Sequence, residues 1–102
     1  MKEEKPVSEA QVEAHLTKRV KERGGIAYKF TSPQRRSVPD RMCVMPGGKI
    51  VFVELKRPGA KPTEQQAREH QRLRELGASV LVLDSKLSVD HYFDSNQRYE
   101  NA

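Results

Sequence analysis

Cysteine occurs once in 102 residues, and tryptophan not at all. The lone thiol, Cys43, has no partner for an internal disulfide, which fits a reducing compartment. It lies in an apolar run, where a buried, inert thiol is expected. The three histidines, His15, His70 and His91, stand too far apart for zinc-ligand spacing. No apolar run approaches the ~20 residues that a membrane-spanning helix needs. The Met1–Pro6 segment is too charged for a signal peptide. These absences argue against a membrane protein and a disulfide-stapled secreted scaffold, and a cytoplasmic protein is expected.

Charge is abundant. Charged residues make up 32% of the chain, and 19 Lys and Arg against 14 Asp and Glu give a net charge of +5. The sequence pI is near 9.6. Such a balance favours a polyanionic partner, namely DNA, RNA or an acidic membrane surface. The plain alternative is a soluble basic protein with no such partner. The length suits one domain with a modest core.

Two helix starts carry the same signature. Ser8 is followed three residues later by Gln11, and Thr63 by Gln66, the reciprocal capping-box pattern. The first helix is expected to run to about Arg23 and stop at Gly24-Gly25; the second is expected to end at Gly77. Strands are expected at Ile26–Thr31, Asp40–Met45, Lys49–Lys56 and Ser79–Asp84, the last fully apolar and so expected to be central. Ser32–Val38 reads as a basic loop. A short helix is expected over Leu87–Phe93, between a charged start at 1–6 and a loose polar tail at 94–102. The order is α-β-β-β-α-β, and the long crossover before the last strand allows it to lie parallel to its neighbour. An α/β fold follows, a mixed sheet flanked by helices.

Side chains alternate along KIVFVELK at 49–56. Val51, Val53 and Leu55 share one face; Ile50, Phe52, Glu54 and Lys56 share the other. Apolar residues on both faces predict a strand covered on both sides. Glu54 then sits near the end of a buried strand, where a carboxylate is costly unless paired or holding a metal. A simple Glu54–Lys56 neighbour pair is the plain alternative. Asp40 supplies context. A two-residue turn at Gly47-Gly48 pairs Asp40 with Leu55, whereas a three-residue turn at Pro46-Gly47-Gly48 pairs Met45 with Lys49 and Asp40 with Glu54. The second is favoured because Gly48 supplies the left-handed residue at the loop's end. Directly opposed residues have Cβ atoms ~5 Å apart, so the carboxylates repel unless a cation lies between them.

The first helix adds Glu9 on the stripe of Val12, Leu16 and Val20, with Glu13 at its edge. Glu9 serves either the site or the helix dipole. In the second helix Gln66, His70, Leu73 and Leu76 share the inward stripe. Gln66 either caps the helix or faces the site; His70 is either functional or a satisfied core histidine.

The run VPD at 38–40, the turn GGK at 47–49, VELKRPG at 53–59 and the helix opening TEQQ at 63–66 together resemble the VRR-NUC domain of the PD-(D/E)XK nuclease superfamily. The resemblance covers residues 7 to about 84. Pro39-Asp40 stands as the PD and Glu54-Leu55-Lys56 as the ExK. Glu9 in SEAQVEAHL resembles the family's first-helix glutamate, and Gln66 the glutamine after the ExK strand. Ser37 departs from the glycine that usually precedes VPD.

The resemblance implies a restriction-endonuclease-like core at 7–93 and a metal-dependent endonuclease acting on DNA. By it, Asp40, Glu54, the Leu55 carbonyl and Glu9 hold Mg²⁺ or Mn²⁺, and Lys56 and Gln66 complete the catalytic set. Arg35, Arg36, Arg41, Arg57 and Lys61 are candidates for backbone phosphates. Small stand-alone members of phage and bacterial type imply a homodimer acting on branched DNA such as four-way junctions. Tyr92 and Phe93 serve either that interface or the core. The rivals are a non-catalytic nucleic-acid-binding protein, which explains the charge but not the inward carboxylates, and a protein–protein adaptor, which explains only the small size.

Overall fold

The computed structural model describes residues 6–100, with side chains described to residue 95. The expected charged start at 1–6 therefore lies almost wholly outside the described residues. Seven elements follow in the order α1 (Glu9–Glu22), β1 (Ile26–Lys29), β2 (Arg41–Met45), β3 (Lys49–Leu55), α2 (Glu64–Glu75), β4 (Ser79–Leu83) and α3 (Lys86–Glu100). They form a mixed sheet in the order β1-β2-β3-β4. The first two pairings are antiparallel and β3–β4 is parallel.

Local chemistry accounts for the helix starts. Ser8 and Thr63 each accept from the backbone N–H three residues on, while Gln11 and Gln66 accept from the cap residues' own N–H groups. A third start escaped the sequence reading. Ser85 and Ser88 exchange the same reciprocal bonds, the Ser88 N–H reaching the Ser85 hydroxyl at 2.9 Å and the Ser85 N–H reaching the Ser88 hydroxyl at 3.1 Å. The last helix continues well past Phe93 to Glu100, so the loose tail expected from 94 is instead helical through that residue.

Val12, Leu16 and Val20 form the i, i+4, i+8 stripe of α1 and are buried against Cys43, Val51, Val53, Leu55 and Leu83 of the sheet and Val89 and Phe93 of α3. Each such side chain contributes roughly 1.5–3 kcal/mol on leaving water. Phe93 packs edge-on against Tyr92 and joins this core, so these two rings close the core within one chain. Cys43 is buried and its thiol pKa is pushed up to about 11 by burial, as expected of an inert thiol.

Three expectations change. The apolar β4 is an edge strand, not a central one. Its apolarity reports two covered faces, α2 on one side and the α1–α3 layer on the other, and says nothing of its edges. On its outer side the Arg74 guanidinium donates to the Val80 carbonyl at 2.9 Å. Covering of β3 on the α2 side is also incomplete, since Ile50 stays 46% exposed, as do its sheet neighbours Ile26 and Tyr28 at 55% and 49%. In α2, Leu76 is 77% exposed; it is the residue on which the helix ends, so it leaves the inward stripe of Gln66, His70 and Leu73.

Candidate active site

The β2–β3 hairpin sets the geometry. Met45 pairs with Lys49 and Arg41 with Val53 across a Pro46-Gly47-Gly48 turn. Gly47 and Gly48 have φ of 86° and 80°, the left-handed region that glycine enters without strain. One further step along the register sets Asp40 opposite Glu54, on the same side of the hairpin. Pro39 before Asp40 is fully buried, which fixes the entry to the strand. One oxygen of Asp40 accepts from the Leu55 N–H at 2.8 Å. In a strand the N–H and C=O of one residue point to the same edge, so the Leu55 carbonyl also faces Asp40.

Glu54 is 1% exposed. Its Oε2 accepts from Gln66 Nε2 at 3.2 Å and lies 3.5 Å from Lys56 Nζ. Its Oε1 lies 3.5 Å from His70 Nε2, and neither of these two atoms has a hydrogen-bond partner among the described residues. Burial first, and then repulsion from Asp40, push the Glu54 carboxyl up to about 7, against the pull of Lys56. His70 is equally buried and its pKa is lowered, by burial and then by Arg74 and Lys56. A neutral imidazole is the result.

Gln66 performs both roles that the sequence left open. Its side-chain oxygen caps α2, and its amide nitrogen reaches Glu54. His70 belongs to the same cluster. Its inward position was legible, whereas its contact with Glu54 depends on how α2 crosses the sheet.

Glu9 is exposed in the first turn of α1, and among the described residues no three of His, Cys, Asp and Glu converge on a point. The structure therefore joins Asp40 to Glu54 but not to Glu9. Arg41 is a correction. It follows Asp40 in an alternating strand and so turns to the opposite face, where it donates to Glu13 at 3.0 Å and to the Ala27 carbonyl at 2.9 Å. It ties α1 to the sheet and is not disposed toward a phosphate. The second first-helix acid, Glu13, is consumed in that contact. Arg35, Arg36, Arg57 and Lys61 are exposed, and Arg35 reaches Glu69 of α2 at 3.2 Å.

The donor set is two carboxylates and a carbonyl, with one buried carboxylate oxygen unpartnered and two like charges forced together. That set fits a hard divalent cation, which prefers oxygen ligands and relieves the repulsion.

No family model matches the chain. A protein of Acyrthosiphon pisum secondary endosymbiont phage 1, named "Putative nuclease p44", is 58% identical over 80 residues, covering 78% of this chain and 86% of its own. A solved VRR-NUC domain superimposes with a TM-score of 0.81 at 36% identity, covering 84% of this chain and 94% of that one. The chain belongs to the VRR-NUC nuclease family. Its VRR-NUC core adopts the expected α-β-β-β-α-β order and adds α3. None of its described helices is long and apolar enough to cross a membrane.

Proposed function

We propose that this VRR-NUC domain is a metal-dependent DNA endonuclease that hydrolyses phosphodiester bonds. The observation that carries the reading is the Asp40–Glu54 pair, two carboxylates set opposite each other by the hairpin register, with Lys56 beside them. A non-catalytic DNA-binding protein has no use for such a pair, since a buried carboxylate beside a second one costs stability and repels phosphate.

Asp40, Glu54 and the Leu55 carbonyl hold the cation, with Mg²⁺ or Mn²⁺ as the ions suited to oxygen donors. Glu9, exposed in the first turn of α1, is the further acid drawn in. A divalent cation, when bound, supplies acidification of water and neutralisation of charge on a phosphate. The chain's own residues do the rest. The Leu55 N–H fixes one Asp40 oxygen and leaves the other to face the site. Gln66 fixes Glu54 Oε2 from the side of α2. Lys56, 15% exposed, places an ammonium where it orients the attacking water and offsets charge in the transition state. Arg35, Arg36, Arg57 and Lys61 hold the flanking phosphates.

The finer reading is a homodimer acting on branched DNA such as four-way junctions. One chain holds one site and cuts one strand; two strands of a junction call for two sites related by a two-fold axis. The open row of Ile26, Tyr28 and Ile50 supplies apolar surface for such an assembly.

The test is nicking of supercoiled plasmid with Mg²⁺, with Mn²⁺ and with EDTA, for the wild type and Glu54→Ala. Metal-dependent nicking lost in the variant supports the reading; nicking that survives EDTA, or that Glu54→Ala retains, overturns it. Four-way junction and linear duplex substrates, with mass measured by light scattering, separate the finer reading from the coarser one.

A further inference from the structure

Two cavities flank the loop between β1 and β2, and they share Arg35 and Arg36. One, of about 320 Å³, extends to Phe30 and Asp40. The other, of about 400 Å³, runs away from the carboxylates and is walled on its far side by Gln65, Arg68 and Arg72 of α2. Asp40 and the exposed arginines of α2 thus line neighbouring cavities that meet at Arg35 and Arg36.

The far cavity is a prepared cationic surface. Its four arginines outnumber the acids that meet them. Glu69, 7% exposed, is the acid within it. It binds Arg35 at 3.2 Å from the loop wall and lies 3.9 Å from Arg72 on the helix wall. Arg68 meets only the exposed Glu64, at 3.7 Å, a pairing of small worth at the surface. Arg36 has no acid partner among the described residues. The Arg35–Glu69 contact joins the two walls, so a single buried carboxylate sets the groove's width while leaving net positive charge on its rim. Arg68 and Arg72, four apart, lie one above the other along the groove.

We propose that this groove is a second nucleic-acid subsite. It takes the backbone phosphates of the DNA arm that continues past the cut, with Arg68 and Arg72 as its contacts on α2. The proposal rests on the nuclease reading of the Asp40–Glu54 site for the direction of the strand. It goes beyond that reading by making α2 a track for one flank of the substrate. Recognition is through phosphate charge, so the subsite is indifferent to base sequence.

The experiment measures binding of the intact protein to a fluorescent duplex in EDTA across a salt series, for the wild type, Arg68→Ala/Arg72→Ala and Arg68→Lys/Arg72→Lys. Each phosphate neutralised contributes about 0.9 to the slope of log affinity against log salt. The alanine pair is expected to lower that slope by about 2 and to weaken binding most at low salt; the lysine pair is expected to restore both. Equal slopes for the wild type and the alanine pair overturn the subsite, as does a lysine pair as weak as the alanine pair, which marks a disturbed helix. Cleavage plays no part in this readout. Failure of the wild type to nick DNA removes the nuclease reading while an altered slope still supports the groove, and unaltered slopes in an active nuclease remove the groove alone.

Discussion

His70 Nε2 and Glu54 Oε1 face each other at 3.5 Å, sealed from solvent, and neither makes a hydrogen bond among the described residues. The contact is too long for a bond and too dry for water to replace it. It leaves one oxygen of the central carboxylate unsatisfied in the metal-free protein. An unsatisfied buried group costs about 1–3 kcal/mol, so Glu54 is a point where stability is given up for the site.

The pH dependence of stability follows from this. Burial and Asp40 raise the Glu54 carboxyl from 4.5 in the open chain to about 7 in the fold. For an acid raised by folding, the native state binds its proton more tightly than the unfolded chain does. Its contribution is therefore best below pH 4.5, declines as pH rises to 7, and is flat above. Metal-free Glu54→Gln is expected to melt several degrees above the wild type at pH 8 and close to it at pH 4.5, a gap on the order of 3 kcal/mol at the higher pH. Calorimetry at the two values in EDTA checks this. A difference that does not change with pH would show that Glu54 ionises as freely in the fold as outside it.

For catalysis, Asp40→Asn and Lys56→Ala are each expected to lower the cleavage rate by about 10²–10³-fold, the scale on which a preorganised polar group contributes. The fold should survive both changes, since neither residue belongs to the apolar core. Circular dichroism alongside plasmid nicking separates the two effects. Nicking at the wild-type rate by a folded Asp40→Asn protein would remove Asp40 from the site.

Where α1 hands the chain to β1, there is no room for a side chain. A Cβ on Gly25 would lie 2.6 Å from Met45 Sδ and 2.8 Å from the Val44 carbonyl oxygen. The methionine can move, but the carbonyl belongs to β2 and cannot move without disturbing the hairpin that carries Asp40. Gly25→Ala is expected to cost about 1–3 kcal/mol. Denaturant unfolding measures it, and a loss below about 0.5 kcal/mol would mean the strand yields freely.

The sequence made the carboxylate pair legible because it depends on counting. An even separation between Asp40 and Glu54, with Gly48 able to take positive φ, leaves one register that sets them together. The same alternation turns Arg41 to the opposite face, a consequence readable from Asp40 alone but masked by the attraction of a basic residue beside a motif. Gln66 was ambiguous only because its two ends do different things. The Arg35–Glu69 contact had no local signal, for it joins residues 34 apart through the way a loop settles against α2. The placement of β4 at the edge was equally silent, since apolar composition tells of faces and not of neighbours.

A polar clamp joins α1 to α3. His15 Nε2 meets Asp90 Oδ1 at 2.7 Å, and the Arg19 guanidinium donates to Asp90 and, at 3.0 Å, to Asp94. Arg19 also lies over the Phe93 ring, 5.5 Å from its centre, so the arginine both bridges two acids and covers the core's buried aromatic. Asp90 is held below its usual range, first by the bond from His15 and then by Arg19, against a smaller opposing effect of burial between them. For an acid depressed by folding, the stabilisation is present above the open-chain pKa and is lost as pH falls through the lower native value. Asp90 is about one-third exposed, so solvent screening keeps the contribution to about 1 kcal/mol. Asp90→Asn is expected to lower the melting temperature by a few degrees at pH 7 and by less at pH 3, with moderate salt narrowing the gap. Thermal melts of both proteins at the two pH values, with and without salt, measure it. A deficit that persists undiminished at pH 3 would mean that packing, not charge, joins the two helices at this point.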